Sequence, residues 1–373
     1  MKKHTELGVQ AGFFEKPTEA SRLKMEIVGG YFDSYMNVLA RNRDVGYADL
    51  FAGPGRYGNG DKSVPVVICE KVVADERLRK FVRLWFNEGD QDFHAELKRN
   101  VGAVEGISTL KHRPSITKIV ISKSLAPRME QLSIPTFVFA DPSGYKGLSL
   151  RLITSALKGF GNDCLFFFNY SRVNMKLGYP VMNESIDTFF EHDRAAALRA
   201  EIQALSPPAR EKKVLSAIEE ALRQAGALPL SFAFRTREGG ATSHHLVFAS
   251  KNKKGVGIMK RLMNQASSQI VDGVGSWDFN PRDNEEPRLP FSRLEEIRQR
   301  VLSVFAGRML TFEQIIAEET PSTRYTDSNY RDALLELEEE TRIITDPPAE
   351  QRPMQSGGQK RTLSGKTRIT FPK

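Results

Sequence analysis

The hydrophobic and polar residues of the first 250 positions follow the pattern of an alternating α/β protein. Several apolar runs are continuous rather than alternating, which is typical of parallel strands that helices cover on both faces. The segments between most of the runs have helical patterns, so we predict an open α/β sheet. The seven predicted strands lie at residues 47–52, 82–89, 116–122, 136–144, 163–171, 230–236 and 244–250.

The connection between the last two predicted strands differs from the others. Only the segment REGGATS, residues 237–243, separates them. Parallel neighbours need a crossover of about a dozen residues or more, so this connection is too short for one. The sequence therefore predicts an antiparallel hairpin at one edge of the sheet.

A glycine-rich loop follows the first predicted strand. The stretch YADLFAGPGRYGNG, residues 47–60, runs from an apolar segment into a loop with four glycines. Glycine lets the backbone turn tightly or approach another group closely. A strand, a glycine loop and a helix form the usual cradle for a nucleotide-like ligand. An ordinary glycine-rich turn explains the same residues, and both interpretations stay open.

The fourth predicted strand ends in a second candidate motif. In FVFADPSGYKG, residues 137–147, Asp141 and Pro142 follow the apolar run directly. Ligands of open α/β sheets bind outside the carboxyl ends of the strands, which is where this acid is predicted to lie. The alternative is that Asp-Pro-Ser-Gly only forms a turn.

The composition of the 373-residue chain narrows the classes of function. Its length allows two domains. We expect no membrane span and no secretory signal, because no apolar run reaches about 18 residues and MKKHTELGVQ is polar. The two cysteines, Cys69 and Cys164, form no CxxC pair, which favours a reducing cytosol and a cytoplasmic location. A net charge of +8 favours an acidic partner such as nucleic acid.

Two further features concern metals and phosphates. His244 and His245 are neighbours on a predicted strand and point to opposite faces, and no other residues have metal-ligand spacing, so we predict no metal site. The basic segment SKNKKGVGIMKR, residues 250–261, follows the predicted hairpin. It is either a phosphate contact or a solvated connection.

The C-terminal part of the chain has the pattern of a winged helix-turn-helix. Three helices are predicted at residues 292–306, from Thr311 onwards and at 326–340, and two short strands follow. Thr311 and Gln314 have the spacing of a capping box. The predicted organisation is an N-terminal helical segment at 1–45, an α/β domain at 46–276, a linker at 277–290 and the winged helix-turn-helix domain at 291–373.

Basic and polar residues of this module are candidates for nucleic-acid contacts. Residues 351–373 contain no acid, which suits phosphate binding. The early positions of the third helix are predicted to be exposed and suit contacts with base edges, although acidic residues of the same helix would repel phosphates. Docking of a protein is therefore the alternative. The candidates are Ser328, Asn329 and Arg331 on the helix, and Arg352, Lys360, Arg361, Lys366, Arg368 and Lys373 in the tail.

The predicted α/β domain resembles the Rossmann-like, seven-stranded sheet of class I S-adenosylmethionine (SAM) methyltransferases, whose last hairpin is antiparallel. The resemblance implies SAM as the cofactor, with the glycine loop beneath its methionine part and Glu88 at its ribose. A solvated acid at the end of the second strand is the alternative for Glu88. The cofactor positions that the resemblance implies are Asp49, Phe51, Gly53, Gly55 and Glu88.

The motif after the fourth strand resembles the Asp-Pro-Pro-aromatic motif of amino-methyltransferases. Ser143 replaces the second proline, and the aromatic residue is displaced by one position to Tyr145. The resemblance implies that Asp141 and Pro142 hold an exocyclic amine while Tyr145 stacks on the base. Such a nitrogen reacts only when its lone pair is aimed at the methyl group.

Four segments carry a closer resemblance. YADLFAGPGRYGNG, VFADPSGYKG, FFFNYSRVN and HHLVFASKNKKGVGIMKRLM are similar to the three-Cys-motif partner (TcmP) family of bacterial and phage proteins. These are predicted SAM-dependent methyltransferases encoded beside a radical-SAM-like protein with three clustered cysteines. Arg172 is a candidate phosphate contact or a surface ion pair. Lys24, in the N-terminal helix, either covers the cofactor or belongs to an ordinary amphipathic helix.

These observations lead to competing functional hypotheses. The first is a methyltransferase that acts on an exocyclic amine of a nucleic-acid base, adenine N6-like, in phage defence or DNA modification. A duplex substrate would need base flipping. The second is a non-catalytic scaffold that recruits the three-Cys protein, and a third is methylation of a protein or a small molecule.

Overall fold

The computed structural model describes residues 14–142, 147–171, 184–236, 240–281, 293–354 and 361–373. The chain divides into two compact units, Met1–Leu262 and Met263–Lys373. Most of the predicted linker, residues 282–290, lies outside the described part. None of the described helices combines the length and the apolar character that crossing a membrane requires.

The first unit is a mixed α/β sheet with helices. In chain order its elements are α1 (Glu19–Leu39), β1 (Val45–Asp49), α2 (Val64–Ala74), α3 (Glu76–Phe81), β2 (Val82–Asn87), α4 (Gln91–Gly102), β3 (Ser115–Thr117), α5 (Ala126–Glu130), β4 (Thr136–Ala140), α6 (Leu150–Ala156), β5 (Asp163–Phe168), α7 (Glu184–Phe190), α8 (His192–Ile202), α9 (Pro207–Gln224), β6 (Leu228–Arg235), β7 (Thr242–Ser250) and α10 (Lys253–Gln265).

The strands of this unit lie in the order β3-β2-β1-β4-β5-β7-β6. β1 to β5 pair in parallel, whereas β7 is antiparallel to both β5 and β6. The predicted sheet with an antiparallel last hairpin is therefore confirmed. Every residue of β1, β4 and β5 is buried, as expected for strands covered on both faces.

The third strand is shorter than the sequence predicted. It ends at Thr117, although the apolar run continues to residue 122. The side chain of Asn87 explains the early end: its Oδ1 accepts a hydrogen bond from the N–H of Ile119 at 2.8 Å, and its Nδ2 donates to the Ile119 carbonyl at 3.0 Å. A side chain of β2 thus takes the place of the backbone ladder.

Helix α1 packs along the sheet from one end of the strands to the other. Thr18 caps its N-terminus, and the ring of Tyr31 meets the rings of Phe137 in β4 and Phe248 in β7 edge-on. The Tyr31 hydroxyl donates to the buried Asp163 carboxylate, at the start of β5, at 2.5 Å. Lys24, near the start of α1, reaches the other end of the sheet, where the parallel strands finish.

In its described residues, the second unit contains three α-helices and a three-stranded antiparallel sheet around one hydrophobic core. Its elements are β8 (Ile270–Val271), β9 (Val274–Gly275), β10 (Asp278–Phe279), α11 (Arg293–Val304), β11 (Met309–Thr311), α12 (Phe312–Glu319), α13 (Asp327–Glu339), β12 (Ile344–Asp346) and β13 (Arg368–Thr370). The sheet order is β11-β13-β12. The predicted capping box of Thr311 and Gln314 is confirmed, and Thr326 and Asn329 form a second one.

Candidate functional site

Three carboxylates meet at the carboxyl edge of the parallel strands. Asp49 is the last residue of β1, Glu88 follows β2 and Asp141 follows β4. These strands are neighbours, and Asp49 lies opposite Phe86 of β2 and Phe139 of β4 in the register. The strand order reverses between β1 and β4, which is where open α/β sheets form their ligand crevice.

The glycine loop after β1 is held against Glu88. Gly53 and Gly55 have φ values of +65° and +83°, which only glycine adopts without strain. The N–H of Gly53 donates to Glu88 Oε2 at 2.9 Å, and the N–H of Asp90 donates to Oε1 at 2.8 Å. A Cβ on Gly53 would lie 2.8 Å from the Phe14 ring, so the loop has no room for a larger residue there.

Asp49 is the most buried acid of the site, with 1% of its surface exposed. Burial raises the pKa of its carboxyl well above the usual range, and the charges of Asp141 and Glu88 raise it further. The N–H of Phe51 opposes this effect because it donates to Asp49 Oδ1 at 3.1 Å. Phe51 thus contacts the acid through its backbone, while its side chain lines the cavity.

Lys24 places a positive charge among these acids. Its Nζ lies 2.5 Å from Asp141 Oδ2 and 4.0 Å from the centre of the Phe167 ring. The two side chains of the ion pair are only 14% and 21% exposed. Lys24 therefore belongs to the site itself and occupies the position that the sequence assigned to a substrate amine. Pro142 follows Asp141 at the rim, where it is half-buried.

The cavity between these groups is small. Its volume is about 90 Å³, whereas pockets for small ligands typically measure ~300–1,000 Å³. The segment before α1 narrows it, because the carbonyls of Phe14 and Glu15 accept hydrogen bonds from Gly58 and Asn59. The Phe14 ring also meets the Phe93 ring edge-on, with 5.1 Å between their centres. A cofactor-sized ligand requires α1 and this segment to move.

Ser63 is a site residue that the motifs did not single out. It precedes α2 in the position of an N-cap, yet its side chain makes no capping hydrogen bond. Its Oγ is buried against the cavity and has no hydrogen-bond partner among the described residues. The serine before Val64-Pro65 is a recognisable helix start, which is the signal that could have found it. Phe14 and Phe93, two further wall residues, have no such local signal.

Tyr145, Arg172 and Lys360, three of the predicted site residues, lie outside the described part of the chain, as does Ser143. The predicted cofactor residues and Asp141 do come together at one edge of the sheet. Gly55 lets the loop pack closely against α4, since a Cβ there would lie 3.2 Å from Asn100 and 3.3 Å from Leu97.

The predicted exposure of Asn329 is wrong. Asn329 is 1% exposed because its Oδ1 completes the capping box of α13 and its Nδ2 donates to the Gly273 carbonyl at 2.8 Å. Arg331 is half-buried, with its guanidinium over the Phe312 ring and its Nε donating to the Leu363 carbonyl. Of the three helix candidates, Ser328 has an exposed side chain.

The basic tail is only partly open to solvent. Arg352 is buried in an ion pair with Glu338, so the prediction that it contacts phosphate is wrong. Arg361 donates to the Arg352 carbonyl at 3.0 Å, and Arg368 is exposed but paired with Asp346. Lys366 is exposed. Phosphate contacts at this face would therefore depend on fewer cations than the sequence contains.

Comparisons with known proteins identify no family. Neither a protein-family model nor a curated protein sequence matches the chain. Similar solved structures include a Legionella pneumophila protein with the family model DUF519, which is 11% identical, covers 62% of this chain and 85% of that one, and has a TM-score of 0.36. The methyltransferase domain of a bacterial CtHen1 is 10% identical over 62% of this chain and 100% of that chain, with a TM-score of 0.34.

A third similar structure is the glycopeptide N-methyltransferase MtfA, complexed with sinefungin. It is 12% identical, covers 59% of this chain and 85% of that chain, and has a TM-score of 0.30. Likenesses this distant say nothing about the chemistry of the site.

Proposed function

We propose that the protein is a SAM-dependent methyltransferase. The observation that carries the proposal is the convergence of Asp49, Glu88 and Asp141 on a glycine loop with positive φ values, at the point where the strand order reverses. Crevices at such points bind nucleotide-like ligands in other open α/β sheets. The acids come from three neighbouring strands, so an isolated glycine-rich turn does not explain the arrangement.

The residues of the site fit SAM chemically. Three acidic side chains and one ammonium line the site, and a cofactor with a positively charged sulfonium would favour the ionised form of the buried Asp49. Glu88 lies where ribose hydroxyls could donate to it, and the unpartnered Ser63 Oγ beside the first turn of α2 offers a further polar contact. SAM supplies an electrophilic methyl group when it is bound. Asp49 and the loop would hold the cofactor, and Phe51, Phe93 and Phe14 would exclude water.

The substrate that we infer is an exocyclic amine of a nucleic-acid base, of the adenine N6 kind. Asp141 Oδ2 already accepts a hydrogen bond from a nitrogen, the Nζ of Lys24, in this structure. An arylamine in that place would donate its N–H to Asp141, which orients the nitrogen lone pair towards the methyl group. Pro142 would restrict the backbone beside it, and Tyr145 remains the candidate for stacking.

The second unit is suited to binding the nucleic acid that carries the substrate base. The order α11, β11, α12, α13, β12, β13 and the antiparallel sheet are those of a winged helix, which we propose this unit to be. Ser328, Arg361, Lys366 and Arg368 remain candidates for contacts with nucleic acid. A role in phage defence or DNA modification, and kinship with three-Cys-motif partner proteins, belong to the same proposal.

A second candidate function is a non-catalytic scaffold. The ion pair of Lys24 with Asp141 and the cavity of about 90 Å³ favour it, because they leave little room for a cofactor. In that case the SAM-like fold would present a surface to another protein, such as a three-Cys partner. The two functions differ in whether the purified chain binds SAM.

Calorimetric titration with SAM and with S-adenosylhomocysteine separates the two functions. We expect micromolar binding, lost in Gly53→Trp, whose side chain would collide with Phe14. Gly102→Trp is the matched control, since Gly102 ends α4 with no atom within 4 Å of a Cβ. Binding would justify a tritium-transfer screen over DNA and RNA. No heat with either ligand would reject the enzyme and favour the scaffold.

A further inference from the structure

A second cavity opens at the opposite end of the strands from the candidate site, where β5 begins and β7 ends. Asp163 and Ser250, which pair in the register of these strands, lie at this edge. The cavity has a volume of about 590 Å³, within the usual ~300–1,000 Å³ of ligand pockets. β5 is six residues long, so roughly 20 Å of strand separates this cavity from the Asp141 edge. It is not part of the candidate methyltransferase site.

Lysines surround this second cavity. Lys158, Lys251, Lys253 and Lys254 all line it, and three of them come from the basic segment 250–261. Lys158 pairs with Glu130 at 2.8 Å. Of the described residues that line the cavity, Asp163 alone carries a carboxylate. Burial raises the pKa of that carboxyl to about 6, and Tyr31 donates to it, so at neutral pH it supplies one negative charge against the lysines of the cavity.

An aromatic ring stands beside these lysines. Phe160 lines the cavity and is 82% exposed, which is unusual for a large apolar side chain. It sits between two glycines, and Gly161 turns the chain with a φ of +74°. The ring is therefore held out at the rim rather than packed into the core. An exposed ring next to cations is the combination with which proteins stack a base and bind its phosphate.

A helix also begins at this cavity, so its N-terminus lies beside the lysines. α10 begins at Lys253, and Gly255 in its first turn leaves no space for a side chain, since a Cβ would lie 2.8 Å from the Tyr31 hydroxyl. The N-terminus of this 13-residue helix carries a partial positive charge that favours anions. Tyr35, Val38 and Ile258 supply apolar wall. Cations, an aromatic ring and apolar wall thus face one space.

We propose that this cavity binds a nucleotide, with the phosphate at Lys251 and Lys254 and the base against Phe160. The nucleotide is either a free mononucleotide or one unit of a nucleic-acid chain, since both present the same phosphate and base. A simple anion site would not need the exposed ring, and an apolar docking surface would not need the lysines. The proposal does not depend on methyl transfer at the opposite edge.

Binding to the full-length protein tests the proposal with two kinds of probe. AMP and GMP are titrated by calorimetry, and fluorescein-labelled single-stranded DNA and RNA 12-mers by anisotropy. We expect the double variant Lys251→Glu/Lys254→Glu to weaken binding at least about tenfold, because both phosphate contacts become repulsive. Phe160→Ala should weaken it about fivefold through the lost stacking.

The control variant is Lys98→Glu/Lys212→Glu, which makes the same charge change at two exposed lysines of the same unit. We expect it to bind within about twofold of wild type. Mononucleotide binding that the cavity variants abolish would identify a free nucleotide as the ligand. Binding of only the 12-mers, with the same sensitivity, would identify a nucleic-acid chain.

Equal affinities of cavity and control variants for every probe would overturn the proposal, as would no binding of any probe by wild type. SAM titration of the same variants is run in parallel. Because the two edges are separate, loss of nucleotide binding with normal SAM affinity concerns this cavity alone. If the wild-type protein does not bind SAM, the proposed methyltransferase function is rejected, but the proposed nucleotide site is unaffected.

Discussion

Lys24 and Asp141 form an ion pair of 2.5 Å although 117 residues separate them in the chain. The pair links the first turns of α1 to the end of β4 and helps to close the candidate site. Its ammonium also lies over the Phe167 ring, so two contacts hold it in place. In the proposed function, a substrate amine has to displace this ammonium before it can donate to Asp141.

Replacing Lys24 should therefore ease substrate binding. Lys24→Met, whose thioether cannot donate to Asp141, removes a competitor that is worth about 1 kcal/mol, so we expect KM for the amine substrate to fall about fivefold. The value of kcat should stay within about twofold, and initial-rate kinetics measure both. Lys71→Met is the control, because it breaks the 2.6 Å ion pair with Asp33 instead. A rise in KM would mean that Lys24 holds a ligand rather than competing with one.

Asp141 should be needed for methyl transfer but not for cofactor binding. Asp141→Ala removes the acceptor that orients the amine, and we expect a loss of about 100-fold or more in kcat. The Kd for SAM should change less than about threefold, since the loop and Glu88 remain. Tritium transfer and calorimetry measure the two quantities. Full activity of the variant would rule out this role for Asp141.

Ser63 should contribute to SAM binding without contributing to stability. Its Oγ has no partner among the described residues, so Ser63→Ala should leave Tm within about 1 °C and raise the Kd for SAM about fivefold. The reverse is expected for Ser149→Ala, because Ser149 caps α6 by accepting from the Leu152 N–H at 3.2 Å. That variant should lose about 1 kcal/mol of stability and keep its SAM affinity. Thermal melts and calorimetry are run on both variants. A lower Tm with unchanged SAM affinity in Ser63→Ala would contradict the role proposed for Ser63.

Asp163 should make stability depend on pH. Its pKa is raised from the ordinary 3.8 to about 6 in the folded state, chiefly by burial. The folded carboxyl holds its proton more tightly, so its stabilising effect is full below pH 3.8 and is lost as the pH rises through about 6. Asp163→Asn stays neutral throughout. The Tm of the variant relative to wild type should therefore rise between pH 5 and pH 7.5.

A matched control for this prediction is Asp75→Asn. Hydrogen bonds from the N–H groups of Leu78 and Arg77 hold the pKa of Asp75 below its ordinary value, so this carboxyl is already ionised at pH 5 and its contribution is constant up to pH 7.5. The Tm difference between Asp75→Asn and wild type should be the same at both pH values. A flat difference for Asp163→Asn as well would show that the folded pKa of Asp163 is not raised.

Local patterns in the sequence were enough to predict the seven strands in chain order and the antiparallel last hairpin, but not the early end of β3. Continuous apolar runs indicate buried parallel strands, a seven-residue connection permits only a hairpin, and Thr311 with Gln314 defines a helix start. Each of these depends on residues close together in the chain, where periodicity and capping act. The acids at the strand ends follow from the same logic, because parallel strands end at a common edge.

The tertiary structure decided what these residues touch. Asn87 ends β3 early, and Asn329 is drawn into a capping box and a contact with Gly273, so its side chain is buried rather than exposed. The ion pair of Lys24 with Asp141 and the second cavity beside Phe160 join segments more than a hundred residues apart. No local pattern encodes such contacts, because they arise only when the sheet brings distant strand ends and α1 together. The sequence alone determined the framework, and packing determined the chemistry at its two edges.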